Sequence, residues 1–257
     1  MRPFPISAII IAKNAERSIR KTLQSLTWCG EIIIVDDYSN DATIRIAKKF
    51  TRRIYQRHLN DDFADQRNFA MKKAIHNWVF FVDADEVIPS DLRKEICATI
   101  QTANPNVAVL AMRRADYFLG HLLAHGSIAT NYFLRVLRKK AAWWEDPFLE
   151  QVRTSGEIVN LQHKMIHTRM ETIEEYATKI NFYSTIAANH MFSRGQRTSV
   201  TNVIWQPIHE FLYRFIVLQA FWDGAPSLIF WLLIAYMNQL EQLKLWYLQS
   251  GQHKQQS

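Results

Sequence analysis

Apolar and polar positions change period several times along the first hundred residues. "ISAIIIA" (6–12) and "EIIIVDD" (31–37) are continuous apolar runs of strand length, the pattern of strands covered on both faces. Between them, "ERSIRKTLQSL" sets Ile19, Leu23 and Leu26 at helical spacing. "DATIRIAKKF" predicts a further helix, "RRIYQRH" a short strand, "ADQRNFAMKKAI" a helix and "NWVFFVDAD" another strand. Strand and helix in alternation predict an α/β fold with a mostly parallel central sheet and helices on both faces. Pro89 and Ser90 open a helix over "PSDLRKEICATIQ"; "NPNVAVLAMRRADYFLG" turns into further strands, and 125–152 reads as strands and loops walling a site.

From Glu171 onward the period is helical, which divides the chain into an α/β part, 1–170, and a C-terminal helical part, 171–257. Two dense apolar runs, "IHEFLYRFIVLQAFW" and "APSLIFWLLIAYM", are separated at Asp223-Gly224. The second has 13 residues, short of the roughly 20 that cross a bilayer. The runs read either as an interfacial hairpin making peripheral contact with a membrane or as two helices packed internally.

Composition narrows the class. Hydrophobic residues at 48% and aromatics at 12% exclude an intrinsically disordered chain. A net charge of +7 points to an anionic partner: nucleic acid, a membrane face or a phosphorylated substrate. Cys29 and Cys97 are the only cysteines, which gives no disulfide framework and no zinc spacing and makes a reducing cytosol the expected compartment. The apolar run before Lys13 is too short for a signal-peptide core, so it reads as a first strand, with the active part facing the cytosol.

The chemistry concentrates where strands end. Ligands of parallel sheets bind beyond the carboxyl ends of the strands, and Lys13, Asn14, Asp36, Asp37, Asp83 and Asp85 all fall there. If the chain stays extended from Val82 to Asp85, Asp83 and Asp85 point the same way. Two carboxylates aimed together call for an oxygen-liganded cation such as Mg²⁺ or Mn²⁺. Alone, this D-x-D reads more simply as a turn or helix cap, and Ser39 or Asp41 as the cap of the next helix. Together, one acid pair for sugar hydroxyls or base edges, a second for a metal and a nearby lysine fit a nucleotide diphosphate.

"IAKN", "VDDYSNDAT", "QRNFA" and "WVFFVDADE" resemble, in order and spacing, the inverting glycosyltransferases of family 2, which have the GT-A fold. "YFLGHLLAHGS", "NYFLRVLRK", "MIHTRMETIEEYATKINFYS" and "AFWDG" resemble more narrowly the branch that adds glucose or a related sugar to the inner core of bacterial lipopolysaccharide. The resemblance spans roughly residues 5–225. It implies that Asp36 and Asp37 face the nucleotide, with Lys13 and Asn14 beside it and Arg67 and Asn68 beside the donor sugar. Asp83 is implied at the ribose or the metal, and Asp85 with His167 as metal ligands. Glu150 is implied as the base that takes the acceptor's proton, with Asp116, Glu145 and Asp146 as competitors. The branch usually shows His-Glu there, and Leu149 stands in the histidine's place. Arg135, Arg138 and Lys179 are implied on the acceptor side, where guanidinium groups suit the carboxylates and phosphates of an inner core. Ala42 replaces the usual glycine of the S-x-D-G-T turn and predicts a right-handed conformation there.

The resulting expectation is a metal-dependent hexosyltransferase moving glucose from UDP-glucose to a heptose of the lipopolysaccharide core. It would work at the cytosolic face of the inner membrane and take no nucleic acid as partner. A sugar-phosphate nucleotidyltransferase would use a glycine-rich phosphate loop, and "IAKNAERSI" has no glycine. A basic adaptor for membrane or nucleic acid leaves the acids at three strand ends unexplained.

Overall fold

The computed structural model describes residues 3–146, 151–168 and 172–253. In chain order it forms β1 (Phe4–Ala12), α1 (Ile19–Ser25), β2 (Cys29–Asp36), α2 (Thr43–Ala47), β3 (Ile54–Gln56), α3 (Phe63–Lys73), β4 (Trp78–Phe81), β5 (Glu86–Val87) and α4 (Ser90–Thr102). Then follow β6 (Val107–Phe118), β7 (His121–Leu123), α5 (Ser127–Thr130), β8 (Tyr132–Arg138), β9 (Ala142–Glu145), β10 (Gln151–Thr154) and β11 (Glu157–Thr168). The last helices are α6 (Ile173–Ser193), α7 (Val200–Leu212) and α8 (Gly224–His253).

The large sheet has the order β3-β2-β1-β4-β8-β6-β11-β5, with β7 on the edge of β6. β3, β2, β1 and β4 are parallel neighbours; β8 runs antiparallel to both β4 and β6. Side-chain alternation sorts the strands' residues to two cores. Ile6, Ala8, Ile10, Ile32, Ile34, Trp78 and Phe80 pack with Ile19 and Leu23 of α1 and Leu92 and Ile96 of α4. Ile9, Ile33, Val35, Val79 and Phe81 pack with Ala70 and Met71 of α3 and with Trp144 of the β9-β10 ribbon. Continuous apolar strands are therefore explained by cover on both faces.

The chain divides into two compact units, one of residues 1–115 and 131–167, the other of 116–130 and 168–257. The second unit thus takes the segment 116–130, which sequence alone groups with the α/β part. The reason is aromatic packing: Phe118 lies edge-on to Tyr176 at 5.6 Å and Phe230 at 5.4 Å, in a core shared with Leu123, Ile180 and Trp231.

The break expected at Asp223-Gly224 is present: Gln219 and Gly224 have φ of 58° and 72°, bracketing a 3₁₀ turn over Ala220–Asp223. The second apolar run does not stop at 13 residues as read from sequence, because α8 continues for 30. Residues Ala220–Gly251 are long and apolar enough to cross a membrane by length and composition. In this fold α8 packs along α6 and α7. Its Lys244 donates to Asn181, Ser184 and Thr185 of α6 at 2.7–2.8 Å.

One turn earlier on α8, burial pushes the Glu241 carboxyl up to about 7, with Lys244 only partly opposing the shift. The folded state favours the neutral acid, so the cost of ionising it is absent below the ordinary value of 4.5 and complete above about 7. Glu241→Gln is expected to raise the melting temperature at pH 8 by about 2–4 °C and to leave it unchanged at pH 4.5. Equal shifts in calorimetric scans at the two pH values would contradict this account.

Candidate active site

Three loops carry the polar groups, following β1, β2 and β4 of the parallel half. The first two are stitched together. Asn14 N–H donates to Ser39 Oγ at 2.9 Å, Asn40 N–H to Asn14 Oδ1 at 2.9 Å, and Ala15 N–H to Thr43 Oγ1 at 2.7 Å. Asn14 holds φ at 49°, a left-handed conformation that asparagine tolerates. Ala42 keeps φ at −77°, right-handed as its Cβ demands.

Asp36 is fully buried and accepts from Ser39 N–H and Oγ–H and from Gln56 Nε2 at 3.3 Å. Asp37 pairs with Lys13 Nζ at 2.7 Å and accepts from Leu59 N–H at 3.2 Å. The two acids therefore lock the loops that follow β1 and β2. Lys13, with more than half its side chain exposed, offers the positive charge toward solvent.

The third loop departs from the expected geometry. β4 ends at Phe81, and residues 83–86 close as a turn in which Glu86 N–H donates to Asp83 C=O at 3.0 Å. Asp83 N–H in return donates to Glu86 Oε2 at 2.9 Å. The chain is not extended through Asp85, so alternation does not aim Asp83 and Asp85 alike. Asp83 accepts from Arg135 at 2.7 and 3.3 Å and from Arg67 at 3.1 Å. Glu86, fully buried, accepts from Arg135 at 2.7 Å and lies 3.7 Å from Arg114.

These arginines come from three elements. Arg67, on α3, lies over the Trp144 ring at 4.8 Å; Arg114, on β6, lies over Phe133 at 3.9 Å; Arg135 projects from β8. Aromatic cover excludes water and strengthens each pair. Burial acts to raise the Asp83 carboxyl, but Arg135 and then Arg67 outweigh it and hold it well below the usual carboxylate range. For Glu86 burial wins: Arg135 opposes it, the charge of Asp83 reinforces it, and the carboxyl is raised.

Pairing of β5 with β11 brings His167 opposite Glu86. Its Nε2 lies 3.5 Å from Asp85 Oδ1, with both side chains mostly covered. An imidazole nitrogen and a carboxylate oxygen at this separation fit a Mn²⁺- or Mg²⁺-type ion that keeps positions for phosphate oxygens. Asp83 fits that role less well, because both of its oxygens already accept from guanidinium groups. Among the described residues no third acid, histidine or cysteine joins Asp85 and His167 in a metal-sized cluster.

The remaining candidates are dispersed. Asn68 forms two hydrogen bonds with the backbone of Trp144, at 2.8 and 3.1 Å, and so anchors the β9-β10 ribbon. Arg138 stands opposite Trp78, the first residue of β4, stacked on its ring at 4.8 Å. The antiparallel register thus puts Arg138 at the other end of the strand from Arg135, and the basic run 135–140 does not form one patch. Lys179 is exposed on α6 of the second unit. Glu145 is exposed and pairs with Arg153 at 2.8 Å, while Asp116 is buried on β6. Glu150 lies outside the described residues.

The family described as Glycosyl transferase family 2 matches residues 7–153, which include all three loops, Arg67 and Arg135. The chain belongs to glycosyltransferase family 2. Among relatives of this glycosyltransferase, the lipopolysaccharide core biosynthesis glycosyltransferase LpsC of Rhizobium meliloti is 27% identical over 81% of this chain and 80% of its own. An uncharacterized glycosyltransferase of Rickettsia conorii is 26% identical over 93% and 89%. Among solved structures, glucosyl-3-phosphoglycerate synthase of Mycobacterium tuberculosis, crystallised with Mn²⁺, UDP-glucose and phosphoglyceric acid, aligns with a TM-score of 0.51 at 14% identity. That alignment covers 76% of this chain and 81% of the other and shows the shared GT-A fold.

Sequence reasoning places Glu86 with Asp83 and Asp85 as acids at a strand end that call for a cation, but it missed Arg114 of this glycosyltransferase's acid and arginine cluster. Arg114 carried a signal, a charged residue within the strand "VAVLAMRRADYF". A long-chain cation inside an apolar strand requires a buried partner.

Proposed function

We propose that the protein transfers a hexose, glucose from UDP-glucose, with inversion onto a heptose of the lipopolysaccharide inner core. The observation that carries this reading is the Asp83–Glu86 turn, which gives one carboxylate to arginines and another, Asp85, to a neighbouring imidazole. The likeness to LpsC along four fifths of the chain supports the acceptor class. Lys13 and the loop at Asp36 and Asp37 would border the nucleotide, and Asp83, fixed as an anion by Arg67 and Arg135, would accept from a ribose or donor-sugar hydroxyl.

Asp85 and His167 would hold a divalent cation, which when bound neutralises charge on the departing diphosphate. Glu150 would take the acceptor hydroxyl's proton as that oxygen attacks C1 and the C1–O bond to the diphosphate breaks, its electron pair leaving with the nucleotide. Glu150→Gln is expected to collapse turnover while leaving nucleotide binding intact; normal initial rates would remove it as the base. A melting scan tests the site itself. UDP with Mn²⁺ at 100-fold its Kd should stabilise the fold by about 2.7 kcal/mol, and no shift with any nucleotide would overturn the transferase reading.

The place of action proposed is the cytosolic face of the inner membrane, touched peripherally. Support comes from α7 and the turn after it, where Val200, Ile204, Ile208, Leu212 and Ile216 recur every fourth residue and are all exposed, flanked by exposed Trp205, Tyr213 and Trp222. An apolar helical stripe with aromatic flanks fits the headgroup boundary. Replacing Ile204 and Trp205 by glutamate should lower co-sedimentation with vesicles of bacterial phospholipid at least severalfold. Unchanged partitioning would exclude this face as the contact.

A further inference from the structure

We propose that the sheet edge at β3, within the first unit, is a docking face for an anionic phospholipid surface. The inference extends the membrane contact proposed above to other residues and gives it a lipid class. Between Asp41 and Asp61 the chain carries Arg45, Lys48, Lys49, Arg52, Arg53 and Arg57 and no acid. Together with Lys72 and Lys73 at the end of α3, these eight cations exceed the net charge of +7, so the remainder of the chain is nearly neutral. The anionic partner that the charge calls for is therefore to be sought here.

The fold gathers these groups along one edge. β3 is the last strand of the large sheet on its parallel side. Arg53 donates to Lys73 C=O at 2.6 Å, and Lys73 Nζ lies over the Tyr55 ring at 5.6 Å, which sets the end of α3 against β3. Two clefts of about 440 and 450 Å³ share Thr51 and Arg52. Lys48 and Gln56 line the first, Arg53 and Ile75 the second. Gln56 donates to Asp36 at 3.3 Å, so the face runs the length of β3 up to the loop after β2.

Arg53 is paired with the buried Glu31 and Arg57 with Asp65. Arg45, Lys48, Lys49, Arg52 and Lys72 are exposed, and among the described residues none of them has an acid within ion-pair distance. Charges on an edge strand also deter strand pairing, but β3 itself, Ile54–Gln56, carries none; the cations stand on the segments beside it.

The same face separates a bilayer from a nucleic acid. Proteins that hold single strands stack bases on exposed aromatic rings, whereas Tyr55 and Phe69 lie under Lys73 and Arg57. The exposed apolar group is Ile75, at 69%, in the cleft with Arg52 and Arg53. Unpaired cations around an aliphatic side chain fit headgroup phosphates, with the side chain reaching below them.

The test sediments the full chain with phosphatidylcholine vesicles, with and without phosphatidylglycerol, at low and high salt. Each basic group near an anionic surface contributes about fivefold to partitioning. Lys48→Gln combined with Arg52→Gln should therefore weaken binding to the phosphatidylglycerol vesicles roughly 25-fold at low salt, with the melting temperature and the UDP–Mn²⁺ shift kept. Lys94→Gln combined with Lys164→Gln removes the same charge from exposed positions on α4 and β11 and should cost less than about fivefold. A loss confined to phosphatidylglycerol vesicles and erased by salt marks this face rather than the apolar stripe of α7. Equal losses in the two double variants, unchanged partitioning of the first, or tighter binding of the wild type to a DNA oligonucleotide than to the anionic vesicles would overturn the inference. A wild type whose melting temperature answers to no nucleotide would overturn the transferase reading and leave the vesicle result standing.

Discussion

Replacing Arg135 by methionine is expected to destabilise the protein by about 3–5 kcal/mol, the range for removing one partner of a buried ion pair. Arg135 is 5% exposed and reaches both Asp83 and Glu86. Methionine fills the volume beside Phe133 yet removes the guanidinium that the Asp83 and Glu86 carboxylates share. The Glu86 carboxyl, already raised by burial, would be raised further without Arg135, and the turn that it closes through Asp83 N–H would loosen. Urea titrations of Arg135→Met and Arg138→Met provide the comparison. Arg138 donates to an exposed carbonyl and stacks on Trp78, so its loss should cost about 1 kcal/mol. Similar midpoints for the two variants would refute the view that Arg135 anchors the site.

The second large effect concerns chemistry rather than stability. Asp85→Asn is expected to reduce turnover about 10²–10³-fold, the scale of losing one group that stabilises transition-state charge. The melting temperature should move much less than turnover, because Asp85 sits in the turn closed by Asp83 and Glu86 and asparagine keeps its volume. The UDP-dependent shift in melting temperature seen with Mn²⁺ should shrink as well. Full turnover in Asp85→Asn would detach the Asp85 and His167 pair from the reaction.

Much of the first unit could be read from periodicity alone. Ile9 and Ile10, or Ile33 and Ile34, go to opposite cores as strand alternation requires, and Ile19 and Leu23 meet the sheet as helical spacing requires. What escaped was governed by contacts between residues far apart in sequence. The run "FVDADE" has strand-like composition, but its path is decided by Glu86 reaching back to Asp83 and by arginines that arrive from residues 67, 114 and 135. Likewise nothing local distinguishes Arg135 from Arg138; the register of β8 against β4 buries one beside the acids and carries the other to the far end. In the tail, hydropathy fades after Met237, but α8 continues because Lys244 and Leu245 still have α6 and a core to pack against.

The grouping of residues 116–130 with the C-terminal helices bears on how the chain can be cut. A fragment ending at residue 167 keeps all but the last residue of the large sheet, yet strips Phe118 and Leu123 of Tyr176, Phe230 and Trp231. Those two side chains, almost wholly covered in the intact chain, would become sticky surface on the orphaned piece. Excision would therefore lay bare an apolar patch that invites aggregation, and surface point substitutions are the safer way to probe the helices.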